Sequence, residues 1–419
     1  MKHNYFVVVL IMLIFVTISF VTNIWGSLIP DVQASFSLSL ALVGFIPTFL
    51  FLAYGLSIPV GMLAERFSAK PMLVAALLCG FLGCFLFALK PSYAMALFSL
   101  FAIGIGFSMA QVVINPLLRV SGGEEHYAFF GNLAQLVFAV GSAASPQLYA
   151  YLTTHLKDPA LPRNFVIKML DKVVTPGMSW ISLYWVFSAM VLLMILLISA
   201  VRLPPLKLNE TEKVGSLDTV RCLFTKPVVW IFFVGIFCYV ATEQGVSNWI
   251  STFLQQYHHV DPTRAAQVSV SGFWGAMTVG CGVNLVLLKL FDCRKILLVF
   301  MSCGLVTLLL SLFGSINMAL YGLPLMGFWI SVGWPLVFSL ALNSLHEHHG
   351  SFAGILCTGI IGGAVMIPLV GRLGDLFGLR FGMLAVCATI GYLVFIALWA
   401  KPLINNATIG SRKKAVEAS

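Results

Sequence analysis

Twelve runs of mostly apolar sequence, each about 20 residues or longer, divide this 419-residue chain. They lie at roughly 5–29, 40–62, 70–89, 93–118, 127–152 and 178–202, then 227–253, 264–289, 295–314, 316–345, 350–371 and 381–400. At 1.5 Å per residue, a helix of such length crosses the ~30 Å hydrocarbon layer of a bilayer. Within that layer each backbone N–H and C=O has to be satisfied inside its own segment, which selects helices. The expected fold is an all-α integral membrane protein with twelve transmembrane helices. Composition agrees, with 60% hydrophobic and 9% charged residues and a mean hydropathy of +0.98, where a soluble domain averages about 25% charged. The start, Met1-Lys-His-Asn and an apolar run, has the outline of a secretory signal. No small-x-small cleavage site follows, and Asn23-Ile-Trp-Gly leads into further apolar sequence, so it reads as the first span.

The polar interval Arg202–Lys226, with Pro204-Pro205 and mixed charges, divides the runs six and six. The expected organisation is an N-terminal six-helix bundle (1–202), a cytoplasmic linker (203–226), a C-terminal six-helix bundle (227–401) and a cytoplasmic tail (402–419). With both termini inside, sixteen of the 24 Lys and Arg residues fall on the cytoplasmic side, the bias that sets orientation in multi-pass proteins. The net charge of +9 is spread through inter-helix loops and the tail, so lipid headgroups and topology account for it and nucleic acid does not. The segment Thr153–Gly177, with Lys157, Arg163, Lys168 and Lys172, reads as a short surface helix or cap. Pro116, Pro324 and Pro335 are candidate kink sites in the long runs 93–118 and 316–345.

Two loops repeat one pattern. Gly61-Met-Leu-Ala-Glu65-Arg66-Phe-Ser-Ala-Lys70 joins the second and third runs, and Gly371-Arg-Leu-Gly-Asp375-Leu-Phe-Gly-Leu-Arg380 joins the eleventh and twelfth. Both read Gly-x-Leu-small-acid-x-Phe-x-x-base, at equivalent places in a three-helix unit but on opposite sides of the membrane. Inverted three-helix repeats predict this placement. The expected role is a gating latch, with glycine allowing close helix approach and acid and base pairing between the bundles. An ordinary inter-helix turn is the plain alternative.

Glu243 is the one acid of fifteen that sits well inside an apolar run. A carboxylate in hydrocarbon costs several kcal/mol unless paired, hydrated or protonated, so it is a candidate functional residue. The plain alternative is a protonated side chain bonding a neighbouring helix. Gln111, Asn115 and Arg119 share one face of the fourth run beside Pro116, Asn132 and Gln135 share a face of the fifth, and Asn23 and Asn343 add further amides. Amides suit polyhydroxylated ligands because each offers donors and an acceptor, although each could equally hold helices together. Of the tryptophans within or near the runs, Trp334 and Trp249 are the candidates for stacking on a sugar ring, the others reading as interfacial anchors. His346-Glu347-His348-His349 looks superficially like a metal cluster but reads as a solvated loop. The nine cysteines show no metal-ligand spacing, and neither a metal nor a cofactor is expected. No phosphate cradle, nucleophilic triad or paired catalytic carboxylates occur at helix depth, which disfavours an enzyme. No filter ring or charged stripe marks a channel.

The chain resembles the fucose–galactose–glucose:proton symporter family of the major facilitator superfamily along most of its length. The resemblance rests on the Gly61–Lys70 loop, on Asn115-Pro116 ahead of Asn132-Leu-Ala-Gln135, on Tyr239-Val-x-x-Glu243 followed by Trp249, and above all on Gly333-Trp334-Pro335-Leu-Val-Phe338-Ser-Leu-Ala with Gly359-Ile-Ile-Gly-Gly363-Ala and Pro368. It implies two six-helix bundles rocking about a midplane site. Departures from the family pattern matter as much. Leu28-Ile29-Pro30 is present, but Gly26 stands where members carry a first-helix Asp, Gln111 where they carry Glu, and Phe138 where they carry Asn. Two carboxylates that the resemblance would nominate for proton uptake and sugar coordination are therefore missing, and Glu243 is the one left.

The expectation is a monomeric secondary transporter of a sugar or sugar-like solute, working by alternating access in a bacterial inner membrane and coupled to protons through Glu243. Substrate-binding residues would be Asn23, Gln111, Asn115, Gln135, Trp249 and Trp334. The lost carboxylates, Phe138 and the 34 phenylalanines leave two other readings. One is an exporter of an amphipathic metabolite or drug, and the other is a proton-independent facilitator on the same scaffold.

Overall fold

The computed structural model describes residues 5–57, 59, 68–122, 127–201, 203, 217–345 and 349–401, and among these the chain forms helices and no strands. Twelve segments are arranged as spans: α1 (Tyr5–Phe36), α2 (Leu40–Leu56), α3 (Ala69–Leu89), α4 (Tyr93–Gly122), α5 (Tyr127–Lys157), α6 (Ser179–Ala200), α7 (Pro227–Ser247), α8 (Pro262–Leu288), α9 (Cys293–Phe313), α10 (Ile316–Ala341), α11 (Gly354–Phe377) and α12 (Leu379–Trp399). Ten are long and apolar enough to cross a membrane by those measures, α2 is a shorter apolar helix, and α5 ends in the polar pair His155 and Lys157. Because the number of spans is even, α1 begins and α12 ends on one face, called here the terminal face, and the opposite face is the distal face. All of the spans wear apolar side chains outward, as at Leu192, Leu193 and Leu196 of α6 or Val299, Val306 and Leu310 of α9. That reverses the soluble pattern and is what a hydrocarbon surround requires.

Helix ends follow local rules. Ser39, Asn164, Asp261, Asp292 and Ser315 each accept a hydrogen bond from a backbone N–H of the turn that follows, satisfying donors the helix leaves open. Three spans are broken inside the membrane domain: α1 at Asn23–Ile24, α7 just past Ser247, where a second helix Ile250–His258 carries it on, and α10 at Ser331–Val332. Each of these begins a three-helix repeat, and broken helices in that position are how transporters bring backbone and side-chain polar groups to mid-membrane. Pro335 sits in the first turn after the α10 break, where its missing N–H would have had no partner within the helix. Pro324 lies within the helix Ile316–Ile330, so the interruption of α10 falls between the two prolines.

Among the first six spans, α3 packs against α4 and α6, α1 against α5, and α2 against α4. Among the last six, α8 and α9 flank α10, while α7, α11 and α12 contact one another. Two long seams join the groups, α2 along α11 and α5 along α8, and the second part of α1 rests on the helix Ile250–His258. The seams carry few polar links, among them Ser271 Oγ donating to the Ala143 carbonyl at 2.6 Å and Gln147 Nε2 to the Gln267 carbonyl at 2.8 Å. Dispersion contacts and close backbone approach hold such seams, since lipid is as apolar as leucine.

Candidate functional site

The site is built around the last two turns of α7. Tyr239 and Glu243 are four residues apart on one helix face, and the Tyr239 hydroxyl donates to Oε2 of Glu243 at 2.6 Å. Gln244 Nε2 donates to Oε1 at 2.8 Å, and Asn248 Nδ2 in turn donates to Gln244 Oε1 at 2.8 Å. Both carboxylate oxygens are thus engaged by neutral donors of their own helix, and no cation reaches Glu243 among the described residues. Glu243 keeps some exposure, while Tyr239 and Gln244 are buried.

The break in α10 brings Trp334 to this group. Gly333 lies so close to the Tyr239 ring that a Cβ there would overlap it. The half-buried Trp334 indole follows, 6.1 Å from the Tyr239 ring and stacked on Phe338 at 5.7 Å and 24°. A half-exposed aromatic shelf beside a hydrogen-bonded carboxylate can take up one apolar and one polar face of a ligand.

The first six spans contribute amides. Asn23, buried at the α1 break, donates through Nδ2 to Ser142 Oγ of α5 at 2.8 Å. Gln111 of α4 donates to the Tyr54 hydroxyl of α2 at 3.2 Å. Gln135 is exposed, and the side chains of Asn115, Arg119 and Asn132 lie outside the described residues. Asn343 is partly exposed at the end of α10. The two groups approach one another at Gly363 of α11, where a Cβ would stand 3.1 Å from both Gln244 Cγ and the Phe51 ring of α2, one turn before Tyr54. Gln244, Asn248, Tyr54 and Ser142 were not singled out from sequence. Gln244 and Asn248 could have been, since they continue the polar stripe that begins at Glu243.

Trp249 is placed elsewhere. It is fully buried at the distal end of α7, wedged where glycines admit it: its Cζ2 is 3.2 Å from a Cβ built on Gly44 of α2 and 3.0 Å from one built on Gly371 of α11. It belongs to the distal seal between α2, α7 and α11, and the Trp334 shelf does not include it. Gly371 serves the close approach expected of it, since a Cβ there would stand 2.5 Å from the Leu40 carbonyl oxygen. Among the described residues Asp375 does not pair with a base. Its two oxygens accept from the backbone N–H groups of Leu40 at 2.9 Å and Ala41 at 2.8 Å, capping the first turn of α2 from the other six-helix group. Arg380 lies over the rings of Tyr257 at 4.7 Å and Phe313 at 5.6 Å, and its N–H donates to the Tyr257 hydroxyl. In the other loop, Lys70 donates to the carbonyls of Ser199 at 2.6 Å and Val201 at 2.9 Å, closing the end of α6 in its own group. Gly61, Glu65 and Arg66 lie outside the described residues.

The model of the Major Facilitator Superfamily matches residues 10–360. The chain belongs to the Major Facilitator Superfamily. Its similarity to characterised members extends over nearly the whole length. It is 28% identical over 414 residues to a glucose/galactose transporter of Brucella abortus biovar 1 (strain 9-941), covering 95% of each chain. It is 24% identical over 370 residues to the L-fucose-proton symporter of Escherichia coli (strain K12), covering 85% of this chain and 84% of that one. The outward-conformation crystal structure of the Escherichia coli fucose:proton symporter superposes with a TM-score of 0.65 at 23% identity, over 94% of this chain and 98% of the other. An inward-facing bacterial homologue of the human lysosomal transporter Spinster superposes at 0.76 with 13% identity, over 94% and 97%. The twelve-helix fold expected from the apolar runs, and the superfamily that the motifs resemble, are the ones found.

Gly26, where the family resemblance implies an acid, lies at a close approach of two helices. A Cβ at Gly26 would collide with the Ser247 carbonyl and stand 3.3 Å from Val270 Cγ1. The breaks of α1 and α7 therefore meet backbone to backbone, and a side chain at position 26 has no room in this arrangement.

Proposed function

We propose that this chain is a secondary transporter that moves a hexose or hexose-like solute together with a proton. The observation that carries this reading is the Glu243–Tyr239–Trp334 group, in which one phenol both donates to the Glu243 carboxylate and flanks the aromatic shelf. A proton arriving on Oε2 of Glu243 takes the place of the Tyr239 hydrogen bond. The phenol oxygen then accepts from that new O–H and its own hydrogen rotates to another acceptor, which changes the polar group offered beside the Trp334 face. Proton occupancy and solute binding are coupled through that hydroxyl, and the coupling is reciprocal. Asn23, Gln111 and Gln135 would supply donors and acceptors from the opposite side, with Asn115 joining them. The names of the relatives support a monosaccharide as the solute and a proton as the coupling ion.

The halves, residues 1–202 and 227–401 joined by the linker 203–226, would rock about this level. Asp375 capping α2, with Trp249 filling the seam beneath it, would be the latch of the distal side. The excess of Lys and Arg on the side of the termini supports an orientation with the termini, including the tail 402–419, in the cytoplasm of a bacterial inner membrane, and the distal seal would then be the outer gate. A monomer is sufficient, since both halves of the site lie in one chain.

A second reading, transport of a more amphipathic solute, draws on Gly26, Gln111 and Phe138 standing where the family resemblance implies polar or acidic groups. One measurement separates the two. Purified protein is heated with hexoses, deoxyhexoses, nucleosides, amino acids and hydrophobic amines in turn, and a ligand stabilises by mass action, about 2.7 kcal/mol at a hundredfold excess over Kd. Stabilisation by hexoses is the expected result, and stabilisation by the amines alone would overturn the sugar assignment.

A further inference from the structure

Between α5 and α6 the chain makes a nine-residue helix, Phe165–Val173, capped by Asn164 accepting from the Ile167 N–H at 2.9 Å. At 100° per residue its side chains sort into three arcs. Ile167 and Leu170 are buried and point back toward α5. Lys168, Asp171 and Lys172 form an exposed charged arc. Phe165, Val166, Met169 and Val173 form the third arc, which is apolar and exposed, Phe165 to 75% and Met169 to 55%. Asp171 is held by Arg163 at 2.7 Å, and among the described residues neither lysine is in an ion pair.

The height of this helix decides what meets the apolar arc. Asn164 Nδ2 donates to the Tyr151 hydroxyl at 3.2 Å. Tyr151 lies six residues, about 9 Å of helix, inside the end of α5 at Lys157. The helix has therefore folded back beside the last two turns of α5, where the apolar run 127–152 ends. Its apolar arc continues the outward apolar surface of the spans, and its lysines flank that arc on the other edge.

We propose that Phe165–Val173 is a lipid-binding helix lying in the distal leaflet, with Phe165, Val166, Met169 and Val173 among acyl chains and Lys168 and Lys172 on phospholipid phosphates. An amphipathic helix with lysines bordering an aromatic and aliphatic face binds a bilayer surface in this way, and binds anionic lipid more strongly. Its buried arc and the Asn164–Tyr151 bond tie it to the first six spans, so this half is anchored to the leaflet.

Spin labels test this in the full-length protein reconstituted in phosphatidylcholine vesicles containing phosphatidylglycerol. Cys222, an exposed native thiol, is replaced by serine, and signal from the remaining cysteines is subtracted using that background. Labels at Phe165→Cys and Met169→Cys should relax severalfold more with dissolved oxygen than with an aqueous nickel chelate, and a label at Lys168→Cys should show the reverse. Raising the phosphatidylglycerol fraction should draw the Phe165→Cys label deeper, and Lys172→Gln should weaken that response. Equal access of the nickel chelate to Phe165→Cys and Lys168→Cys would overturn the proposal, because the apolar arc would then face water. So would shielding of Phe165→Cys from both reagents, because protein and not lipid would then cover it. A depth indifferent to phosphatidylglycerol would refute the phosphate contacts.

Discussion

The Tyr239 hydroxyl donates a hydrogen bond to Oε2 of Glu243 at 2.6 Å while its ring lies 6.1 Å from that of Trp334. One side chain thus touches both the candidate proton carrier and the candidate solute shelf, and the first test follows from that. Glu243→Gln should abolish solute accumulation driven by a pH gradient in proteoliposomes while solute counterflow continues. Tyr239→Phe removes one hydrogen bond to a carboxylate, about 1.5–3 kcal/mol, or roughly tenfold to a hundredfold in the linked equilibria. It should weaken accumulation and leave solute binding at fixed pH far less affected. If accumulation survives in Glu243→Gln, the carboxylate does not carry the proton.

The cap that Asp375 places on α2 joins the two six-helix groups through charge-assisted bonds at a helix N-terminus. Because the side chain is exposed and screened, the cap is worth about 0.5–1.5 kcal/mol, and its loss should shift the population of the closed distal state roughly twofold to tenfold. Pulsed electron–electron resonance between labels near the distal ends of α2 and α12 should record longer distances in Asp375→Ala, with Asp375→Asn intermediate. Unchanged distances in both would remove the latch.

Gly26 and the Ser247 carbonyl leave no space for a side chain between the α1 and α7 breaks. Gly26→Ala should cost the closed distal state about 1–3 kcal/mol, the usual range for overpacking, and Gly26→Asp should cost at least as much. Restoring the acid would then impair transport. A Gly26→Asp protein that transports better than the parent would show that the missing carboxylate was a loss of function at this site and no consequence of helix approach.

Trp334 and Trp249 can be told apart by what each substitution changes. Trp334→Ala should weaken solute affinity, measured by ligand-induced thermal stabilisation, with little change in distal distances. Trp249→Phe, opening space against Gly44 and Gly371, should alter the distal distances and leave affinity nearly as it was. The opposite pattern would return Trp249 to the binding site.

His258, in the distal extension of α7, is held below its ordinary value of 6.5 first by burial and then by the charges of Arg380 and His259, and among the described residues its buried Nε2 has no partner. The unfolded chain therefore binds this proton more readily than the folded one, so its contribution to stability is unfavourable at acid pH and vanishes as pH rises past the ordinary value. Below about pH 6.5, His258→Gln should melt at a higher temperature than the parent, and the difference should close above it. A gap that is constant with pH would mean that His258 binds its proton equally well in the folded and the unfolded chain.

Much of this arrangement was legible in the order of residues. Span number, the six-and-six division of the apolar runs and the singular position of Glu243 depend on local hydropathy and on period, and a bilayer enforces both within each helix separately. The Glu243–Tyr239 bond was within reach for the same reason, because residues four apart on a helix must meet. The partner of Asp375 was not legible: an acid followed by a base suggested an ion pair, but the strongest nearby donors are backbone N–H groups of a helix more than 300 residues away. Trp249 read as a ligand-stacking residue and became part of a seal, because glycines of α2 and α11 happen to face it. The amide of Gln111 found Tyr54 and that of Asn23 found Ser142 by the same route. Local chemistry set each helix, its ends and its polar stripe, whereas the close contacts between helices depend on how rigid cylinders of unequal surface stack, and only the folded arrangement decides that.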